Sequence, residues 1–312
     1  MSSAVLFPGQ GSQVVGMGAD LLSEFPAAAA IYEQAAVEMG DAFLPICFAG
    51  PAAALNDTAM AQPALYVHSM ALWAAIRSAR PQFAPQFAAG HSLGEFSALT
   101  AAGALDFAPG LHLVRRRGEW MRAAGESQPG GMAALLGLEA SAVETLLADI
   151  RAEHGGTIVI ANDNCPAQVV ISGDQDSLSL AGERAKAAGA RRVLPLNVSV
   201  ATHSPLMASA AAEFAKVLAD TPLRAARFPI IANVSGRPIQ TEAEIRHELQ
   251  TQLTAGVRWH DSMRCLLATG VKQFYEVGAG NVLSGLLRRI DRSTRAIPIH
   301  SAETLLAFLA TA

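Results

Sequence analysis

The chain has 312 residues, of which 51% are apolar and 16% are charged, and its formal net charge at pH 7 is −4. This apolar content can form a sizeable core and excludes a disordered chain. The Lys and Arg residues are scattered and form no basic face, which argues against nucleic acid as a partner.

The first 125 residues alternate short apolar runs with helical periodicity. Residues 4–7 predict a strand that ends in the Gly-rich turn at 8–12. Residues 83–89 predict a second strand, which ends at a further Gly-containing turn. Apolar residues spaced three and four apart predict the helices. These helices cover residues 18–39, 61–78, 95–105 and 110–124.

The middle of the chain has a different order of elements. Strands are predicted over residues 131–138, 158–162, 168–172 and 192–198, and helices over 141–154 and 174–188. The resulting order βαββαβ is that of a ferredoxin-like unit, in which two helices pack on one face of a four-stranded sheet. We therefore expect an inserted small domain at residues 126–199.

After the insertion, the alternation of strands and helices resumes. Strands are predicted at residues 229–234, 273–277 and 296–299. Such alternation favours a mostly parallel sheet that is covered by helices. The predicted fold class is α/β, with a discontinuous large domain formed by residues 1–125 and 200–312.

Three features of the sequence bear on the cellular compartment. Cys47, Cys165 and Cys265 are odd in number and lack the spacing of a metal site or a disulfide framework, so we expect reduced thiols and no bound metal. The N-terminus lacks the basic region and the apolar length of a signal peptide. No run approaches the roughly 20 apolar residues of a membrane span. We predict a cytoplasmic protein without membrane contact.

The pentapeptide GHSLG at positions 90–94 matches the G-x-S-x-G nucleophile elbow. Glycines two residues before and after the serine permit a cramped turn from strand to helix. Ser92 would then present its hydroxyl at the start of the helix, where the backbone N–H of Leu93 can stabilise an oxyanion. A Gly-rich turn without catalytic function is the alternative, and the flanking strand and helix favour the nucleophile.

A nucleophilic serine needs a base, and two of the eight histidines are the main candidates. His203 follows the last strand of the insertion, in a turn that can bring it back to the elbow. His300 ends a predicted strand near the C-terminus, where α/β-hydrolases keep their catalytic histidine. Spacing alone does not decide between the two.

Arg117 lies in the predicted helix 110–124 and shares a face with Leu113, Val114 and Met121. A guanidinium directed toward an apolar core needs an anionic partner, because burying an unpaired charge is costly. The partner is either a structural Asp or Glu, or a substrate carboxylate held by a bidentate clamp. The second alternative predicts a diacid monoester as the substrate.

Six segments occur in one order along nearly the whole chain. They are FPGQGSQ at 7–13, GHSLGE at 90–95, RRRG at 115–118, QVVISG at 168–173, HSPLM at 203–207 and YEVGAG at 275–280. Together they resemble the malonyl-CoA:acyl-carrier-protein transacylases of fatty-acid and polyketide synthesis. The resemblance implies an α/β-hydrolase-like large domain with a ferredoxin-like insertion, in agreement with the periodicity.

The resemblance also implies roles for individual residues. It selects His203 over His300 as the base that activates Ser92, and it implies that a backbone carbonyl, that of Gln252, orients the histidine in place of an acid. The backbone N–H groups of Gln10 and Leu93 would form the oxyanion hole, and Arg117 would bind the malonyl carboxylate. Met121, Asn162 and Asn164 would line the cleft, and a turn before Pro166 is the equal alternative for the two asparagines.

The implied reaction is a ping-pong transfer through a malonyl ester on Ser92, with malonyl-CoA as the first substrate. The phosphopantetheine thiol of an acyl carrier protein is the second, and no cofactor is expected beyond the coenzyme A thioester itself. Carrier proteins are acidic, which predicts a positive docking patch on the enzyme. The candidate patches are Lys186, Arg191 and Arg192, or Arg288 and Arg289.

Some alternatives remain open. The segment Val200-Ala201-Thr202 lacks the proline that usually precedes the histidine in carrier transacylases, so the sequence does not separate malonyl from substituted malonyl groups. A malonate-loading subunit of malonate decarboxylase or a free-standing polyketide acyltransferase would share the site. A serine esterase or thioesterase would use water as acceptor and would need His300 with an acid. A non-catalytic scaffold protein is a further alternative, but it would not need Ser92, His203, Gln10 and Arg117 together.

Overall fold

The computed structural model describes residues 2–196, 198 and 200–311. In that part of the chain, ten strands form two separate sheets. The strands are β1 (Ser3–Phe7), β2 (Phe87–Gly90), β3 (Gly130–Leu136), β4 (Ile158–Cys165), β5 (Gln168–Asp174), β6 (Arg192–Pro195), β7 (Ile230–Ile231), β8 (Pro238–Ile239), β9 (Gln273–Val277) and β10 (Ala296–Ile299).

Helices cover both sheets. They are α1 (Leu21–Glu24), α2 (Pro26–Met39), α3 (Phe43–Ala49), α4 (Ala52–Asn56), α5 (Thr58–Ala79), α6 (Gly94–Ala101), α7 (Phe107–Ser127), α8 (Ala140–His154), α9 (Gln175–Ala187), α10 (Ala208–Asp220), α11 (Glu242–Thr251), α12 (Trp259–Ala268), α13 (Val282–Ile290) and α14 (Ala302–Ala310). A single 3₁₀ turn (Pro205–Met207) precedes α10 in the described residues.

The larger sheet has the strand order β10-β9-β1-β2-β7-β8. Its neighbouring strands are parallel, apart from the antiparallel pairing of β7 with β8. Val5 and Phe7 of the central strand β1 belong to the apolar core on one face, and Ala4 and Leu6 belong to that on the other. A parallel sheet buried on both faces needs such a continuous apolar strand. The C-terminal ends of β1 and β2 meet at one edge, where the Gly-rich turns begin.

The smaller sheet has the order β4-β5-β3-β6, and all its strands are antiparallel. Leu135 of β3 and Ile171 of β5 pack in one apolar cluster with Leu147 of α8. The alternate β3 residues Met132 and Ala134 lie on the opposite face and line a cavity, as the two-residue period of a strand requires. The order βαββαβ and the mostly parallel larger sheet confirm the predicted fold class.

A short stretch of backbone pairing joins the smaller sheet to the rest of the protein. Asn162 in β4 forms a parallel bridge with Val257. The N–H of Asp163 donates to the Val257 carbonyl at 2.9 Å, and the N–H of Val257 donates to the Ala161 carbonyl at 2.8 Å. The wall that β4 contributes to the cleft is therefore hydrogen-bonded to the segment that follows α11.

Several element bounds differ from the prediction. The helix predicted over residues 18–39 is two helices, because Phe25 is extended and Pro26 starts a new helix. The strand predicted from residue 83 begins only at Phe87. The helices α3 and α4 were not predicted, since prolines interrupt the periodicity of this stretch.

The bounds of the insertion stay a prediction. Strand β6 ends at Pro195, so it is shorter than predicted, and Asn197 of the predicted strand lies outside the described residues. Ser199, at the predicted domain boundary, lies outside them too, as do the terminal residues 1 and 312. Within the described ranges, no helix combines the length and the apolar character that a membrane crossing requires.

Candidate active site

A sharp turn joins β2 to α6 and carries Ser92. Ser92 has a φ of +52°, in the left-handed region that residues other than glycine rarely adopt. A Cβ at Gly90 would overlap the backbone of Gly94, and a Cβ at Gly94 would overlap the carbonyl of Phe7 at the end of β1. The pentapeptide therefore forms the cramped strand-to-helix turn that its glycines predict.

His203 reaches this turn from the segment that follows the smaller sheet. Its Nε2 lies 2.8 Å from Oγ of Ser92, and its Nδ1 lies 2.9 Å from the backbone carbonyl oxygens of both Gln252 and Ala255. Carbonyl oxygens only accept hydrogen bonds, so Nδ1 carries the proton and Nε2 accepts from the serine hydroxyl. His203 also has a positive φ of 62°, and its N–H donates to the Leu253 carbonyl. Apart from the Ser92 hydroxyl, the described hydrogen-bond partners of His203 are therefore backbone carbonyls.

The surroundings of His203 keep its imidazole neutral. Burial, and after it the positive charge of Arg117, lowers the pKa of His203 to about 3. At neutral pH the Nε2 lone pair is therefore free to take the serine proton. The competing candidate, His300, follows β10, donates from its backbone N–H to Oγ1 of Thr304, and is absent from the described lining of the cavity in front of Ser92.

Arg117 is 1% exposed and lies beside the serine. Its Nη1 donates to Oε1 of Gln62 at 2.8 Å, and its Nη2 donates to Oε1 of Gln252 at 3.0 Å and to Oγ of Ser92 at 3.2 Å. Burial lowers the pKa of Arg117 to about 10, against the opposing effect of Glu95, so the guanidinium stays charged at neutral pH. Its described hydrogen-bond partners are all neutral, and Glu95 acts on it through its charge without a described hydrogen bond.

A cavity of about 580 Å³ opens in front of Ser92, between the two sheets. Three predicted lining residues, Met121, Asn162 and Asn164, all border it. Both asparagines belong to strand β4, so the alternative of a turn before Pro166 is wrong. The apolar lining comprises Met121, Met132, Ala134, Val170, Leu196, Val198, Val282, Leu283 and Leu286.

The two predicted oxyanion donors occupy neighbouring turns. Gln10 lies in the loop after β1 and borders the cavity, and its side chain donates to Oγ1 of Thr58 at 3.1 Å. Leu93 directly follows the serine and directly precedes α6. The N–H of Ser92 is already engaged, because it donates to Oδ1 of Asn233 at 2.7 Å. The role of Gln10 and Leu93 in binding an oxyanion stays a prediction.

Sequence reasoning missed three buried polar residues that hold the site. Gln62 accepts a hydrogen bond from Arg117, and Asn233 accepts one from the N–H of Ser92. Glu95 in turn accepts from Asn233. Gln62 could have been found, since it is the polar residue of the apolar stretch 59–65. Asn233 offers no such signal, because its partners are remote in sequence. Among the described residues, no group of three His, Cys, Asp or Glu side chains is placed to hold a metal ion.

Comparison with known proteins gives a family match over almost the whole chain. The family model described as an acyl transferase domain matches residues 5–304. The malonyl CoA-acyl carrier protein transacylase of Bacillus subtilis (strain 168) is 42% identical over 302 residues, which cover 97% of this chain and 94% of the relative. The malonyl CoA-acyl carrier protein transacylase of Escherichia coli (strain K12) is 39% identical over 306 residues, which cover 98% of each chain.

Solved structures agree over the same length. The chain is similar to one in the PlMCAT:AntF (holo) complex, a type II PKS acyl-carrier protein with its malonyl-transacylase, at a TM-score of 0.95 and 37% identity with both chains fully covered. It is also similar to an acyl carrier protein S-malonyltransferase from Vibrio cholerae O1 biovar eltor str. N16961. That comparison gives a TM-score of 0.94 and 38% identity, and covers 99% of this chain and 100% of the other.

Proposed function

The chain belongs to the acyl transferase domain family, and from this premise we propose that it transfers a malonyl group from malonyl-CoA to the phosphopantetheine thiol of an acyl carrier protein. Relatives that match it along its length are named malonyl CoA-acyl carrier protein transacylases. One observation carries the choice of acyl group: the buried charge of Arg117 lies 3.2 Å from Oγ of Ser92. A malonyl thioester places a carboxylate where that guanidinium can bind it in bidentate fashion.

The first half-reaction loads the enzyme. His203 accepts the hydroxyl proton of Ser92 at Nε2, and Oγ attacks the thioester carbonyl carbon. Negative charge on the carbonyl oxygen is stabilised by the backbone N–H groups of Gln10 and Leu93. The carbon–sulfur bond then breaks, and the departing coenzyme A sulfur takes the proton from His203. The enzyme is left as the malonyl ester of Ser92.

The second half-reaction repeats these steps in reverse order. The carrier thiol gives its proton to His203, and its sulfur attacks the ester carbonyl. The bond from the carbonyl carbon to Oγ breaks, and Ser92 recovers the proton. The apolar part of the cavity lining limits the access of water to the ester between the two half-reactions, which favours a thiol acceptor over hydrolysis.

No cofactor enters this scheme, because the thioester itself supplies the activated acyl group. We place the reaction in the cytoplasm, and the free thiols of Cys47, Cys165 and Cys265 support a reducing compartment. We also propose that the smaller sheet, within residues 126–199, forms a domain inserted into the catalytic one. Its cavity-facing side would then cover the pantetheine arm of either substrate.

Intact-mass measurement tests the proposal directly. The protein is incubated without carrier, separately with malonyl-CoA, methylmalonyl-CoA and acetyl-CoA, and Ser92→Ala serves as the control. We expect a malonyl adduct that is absent from Ser92→Ala and that carrier protein discharges to its own thiol. Release of coenzyme A without any adduct would instead identify water as the acceptor and contradict the transferase mechanism.

A further inference from the structure

Glu95 is the most deeply buried acid near the nucleophile. It lies in the first turn of α6, three residues after Ser92, and is 0% exposed. One carboxylate oxygen accepts from the backbone N–H of Asn233 at 2.9 Å and from its Nδ2 at 3.0 Å, and the other accepts from Nε2 of Gln252. The partner residues touch Ser92, His203 or Arg117, while the carboxylate of Glu95 has no described hydrogen bond with those three, and its backbone N–H donates to the Ser92 carbonyl.

The direction of these hydrogen bonds fixes how the side chain of Gln252 is turned. A carboxylate only accepts, so the amide NH₂ of Gln252 has to face Glu95. The same NH₂ donates to the backbone carbonyl of Ser92 at 3.0 Å. The amide oxygen of Gln252 is then left on the opposite side, where it accepts from Nη2 of Arg117 at 3.0 Å.

Asn233 follows the same logic. Its NH₂ donates to Glu95 and to the carbonyl of Gly90, the latter at 2.7 Å, so its amide oxygen is the group that accepts from the N–H of Ser92. Burial and the nearby Glu248 carboxylate raise the pKa of Glu95. Three N–H donors to the side-chain oxygens oppose this effect and favour the carboxylate form of Glu95.

We propose that Glu95 is a positioning residue for the acyl substrate's carboxylate, which acts through the side-chain amide of Gln252 to aim the guanidinium of Arg117. The inference rests on the proposed malonyl transfer. Glu95 itself touches neither the nucleophile's hydroxyl nor the space in front of it. Its effect, together with that of the Ser92 carbonyl, is to hold the NH₂ of one buried amide away from the arginine, so that the amide oxygen meets Arg117.

The substitution Glu95→Gln would break this directionality while almost preserving shape. The new side chain can donate toward Gln252 and so oppose the NH₂ of that amide. If the amide then turns over, its oxygen meets the Ser92 carbonyl and its NH₂ meets Arg117. Two donors facing each other repel, so Nη2 of Arg117 would move from its present position. The loss should fall on malonyl groups, which need the guanidinium, and spare acetyl groups, which have no carboxylate to bind.

The experiment measures initial rates of Ser92 acylation by malonyl-CoA and by acetyl-CoA, and reports their ratio. We expect the ratio to fall roughly tenfold or more in Glu95→Gln, as for the loss of one charged hydrogen bond. Gln252→Leu keeps the backbone carbonyl that holds His203 but removes the amide, so it should lower the ratio similarly. The double variant should be no worse than Gln252→Leu, because both changes act through one group.

Glu248→Gln is the matched control. This neighbouring buried carboxylate accepts from the N–H of Val234 at 2.9 Å and has no described hydrogen bond to the Gln252 side chain. Its malonyl-to-acetyl ratio should stay unchanged. An equal fall in this control, an unchanged ratio in Glu95→Gln or Gln252→Leu, or multiplied losses in the double variant would each overturn the inference.

A folding failure of one variant, and a failure of the proposed function, can each be distinguished from a failure of this inference. If Glu95→Gln does not fold, Gln252→Leu alone still decides whether the amide aims Arg117, since a ratio equal to that of the unsubstituted protein would overturn the inference. The unsubstituted protein reports on the proposed function by itself. A missing malonyl adduct there would end that proposal, whereas a normal adduct with an unaltered ratio in the variants would remove only the role of Glu95.

Discussion

The two walls of the cleft are built differently. On the wall carried by the larger sheet, Ser92, His203 and Arg117 each take part in at least two described hydrogen bonds, and their partners are buried or partly buried. The strands of the smaller sheet line the cleft with apolar side chains and amides, none of which has a described hydrogen bond with Ser92, His203 or Arg117. They are Met132, Ala134, Asn162, Asn164, Gln168 and Val170. One wall holds reactive groups at fixed positions, and the other supplies shape.

This difference suggests a division of labour. Groups that must stabilise charge work best when they are held before the substrate arrives, so that no free energy is spent on ordering them. A wall that covers a flexible arm and excludes water needs only apolar surface. Substitutions on the first wall should therefore change rates by orders of magnitude, and substitutions on the second should change stability or carrier binding.

The largest effect is expected from His203→Ala. Loss of a general base lowers a rate by about 10²- to 10⁴-fold, and acylation of Ser92 by malonyl-CoA should fall within that range. His300→Ala is the control and should leave the rate within about twofold, since His300 does not line the cavity in the described structure. Stopped-flow or quenched-flow acylation measures both. Activity that survives His203→Ala but not His300→Ala would restore the esterase alternative.

A smaller and more selective effect is expected from Arg117→Met. Malonyl acylation should fall about 10- to 100-fold as charged hydrogen bonds are lost, while acetyl acylation should change little.

The pH dependence of acetyl transfer by Arg117→Met gives a second test. Burial is the main cause of the lowered pKa of His203, and the positive charge of Arg117 is the second. Removing that charge therefore raises the pKa of His203. The base is lost as pH falls through its pKa, and the acidic limb of acetyl transfer should therefore move to higher pH.

Arg117→Lys refines the same prediction. The ammonium keeps the charge but lacks the planar fork that can bind a carboxylate and contact Gln62 and Gln252 together. Its malonyl rate should lie between those of the unsubstituted protein and Arg117→Met, and its acidic limb should stay near the original pH. A malonyl rate in Arg117→Met equal to that of the unsubstituted protein would remove the clamp from the mechanism.

The features of the molecule that could be predicted from the sequence are those with local causes. The turn at Ser92 could be predicted because its cause is local: Gly90 and Gly94 are required by steric contacts within five residues and with one adjacent strand. The βαββαβ unit could be predicted for a similar reason, since periodicity and turns set its elements. In the first part of the chain, the predicted element bounds were less accurate where proline or an extended residue such as Phe25 interrupts the periodicity.

The polar network could not be predicted from local pattern. The base at His203 is held by carbonyls of Gln252 and Ala255, about 50 positions further along the chain. Spacing left His203 and His300 equal, and resemblance to a family was needed to choose between them. For Arg117, reasoning from burial left a structural acid and a substrate carboxylate as alternatives, whereas the described hydrogen-bond partners are the amides of Gln62 and Gln252 and the hydroxyl of Ser92. Neutral dipoles can hold a buried charge when several converge on it.

The contact between the two walls gives the next prediction. Oδ1 of Asn164 in β4 lies 2.8 Å from Nε2 of His91, the residue before the nucleophile. Burial lowers the pKa of His91, so the ring is neutral and donates this hydrogen bond. Asn164→Ala would leave this partly buried N–H without its partner and should lower the free energy of unfolding by about 0.5–1.5 kcal/mol.

Asn162→Ala is the matched control for Asn164→Ala. Both asparagines are buried in β4 and border the cavity, but the side chain of Asn162 has no described hydrogen bond. Urea unfolding of the two variants should therefore differ, with the smaller loss in Asn162→Ala. Equal losses would mean that packing in β4, rather than the contact with His91, sets the effect.

The smallest effect is expected at the mouth of the cleft. Arg288 and Arg289 are exposed on α13, the helix whose residues Val282, Leu283 and Leu286 line the cavity. Arg289 is engaged with Pro166 and Gln168, which makes Arg288 the cleaner position to reverse. Arg288→Glu should raise the Michaelis constant for carrier protein about two- to fivefold, as expected for one exposed charge pair, and leave that for malonyl-CoA unchanged.

Two comparisons make the last prediction specific. Lys216→Glu reverses an exposed charge on α10, outside the described cavity lining, and should alter neither constant. Raising the salt concentration should shrink the difference between Arg288→Glu and the unsubstituted protein, because exposed charges are screened. Coenzyme A also carries phosphates, so an equal rise in both Michaelis constants would assign Arg288 to coenzyme A and exclude it from carrier docking. The remaining cluster, at Lys186, Arg191 and Arg192, would then be the surface to reverse.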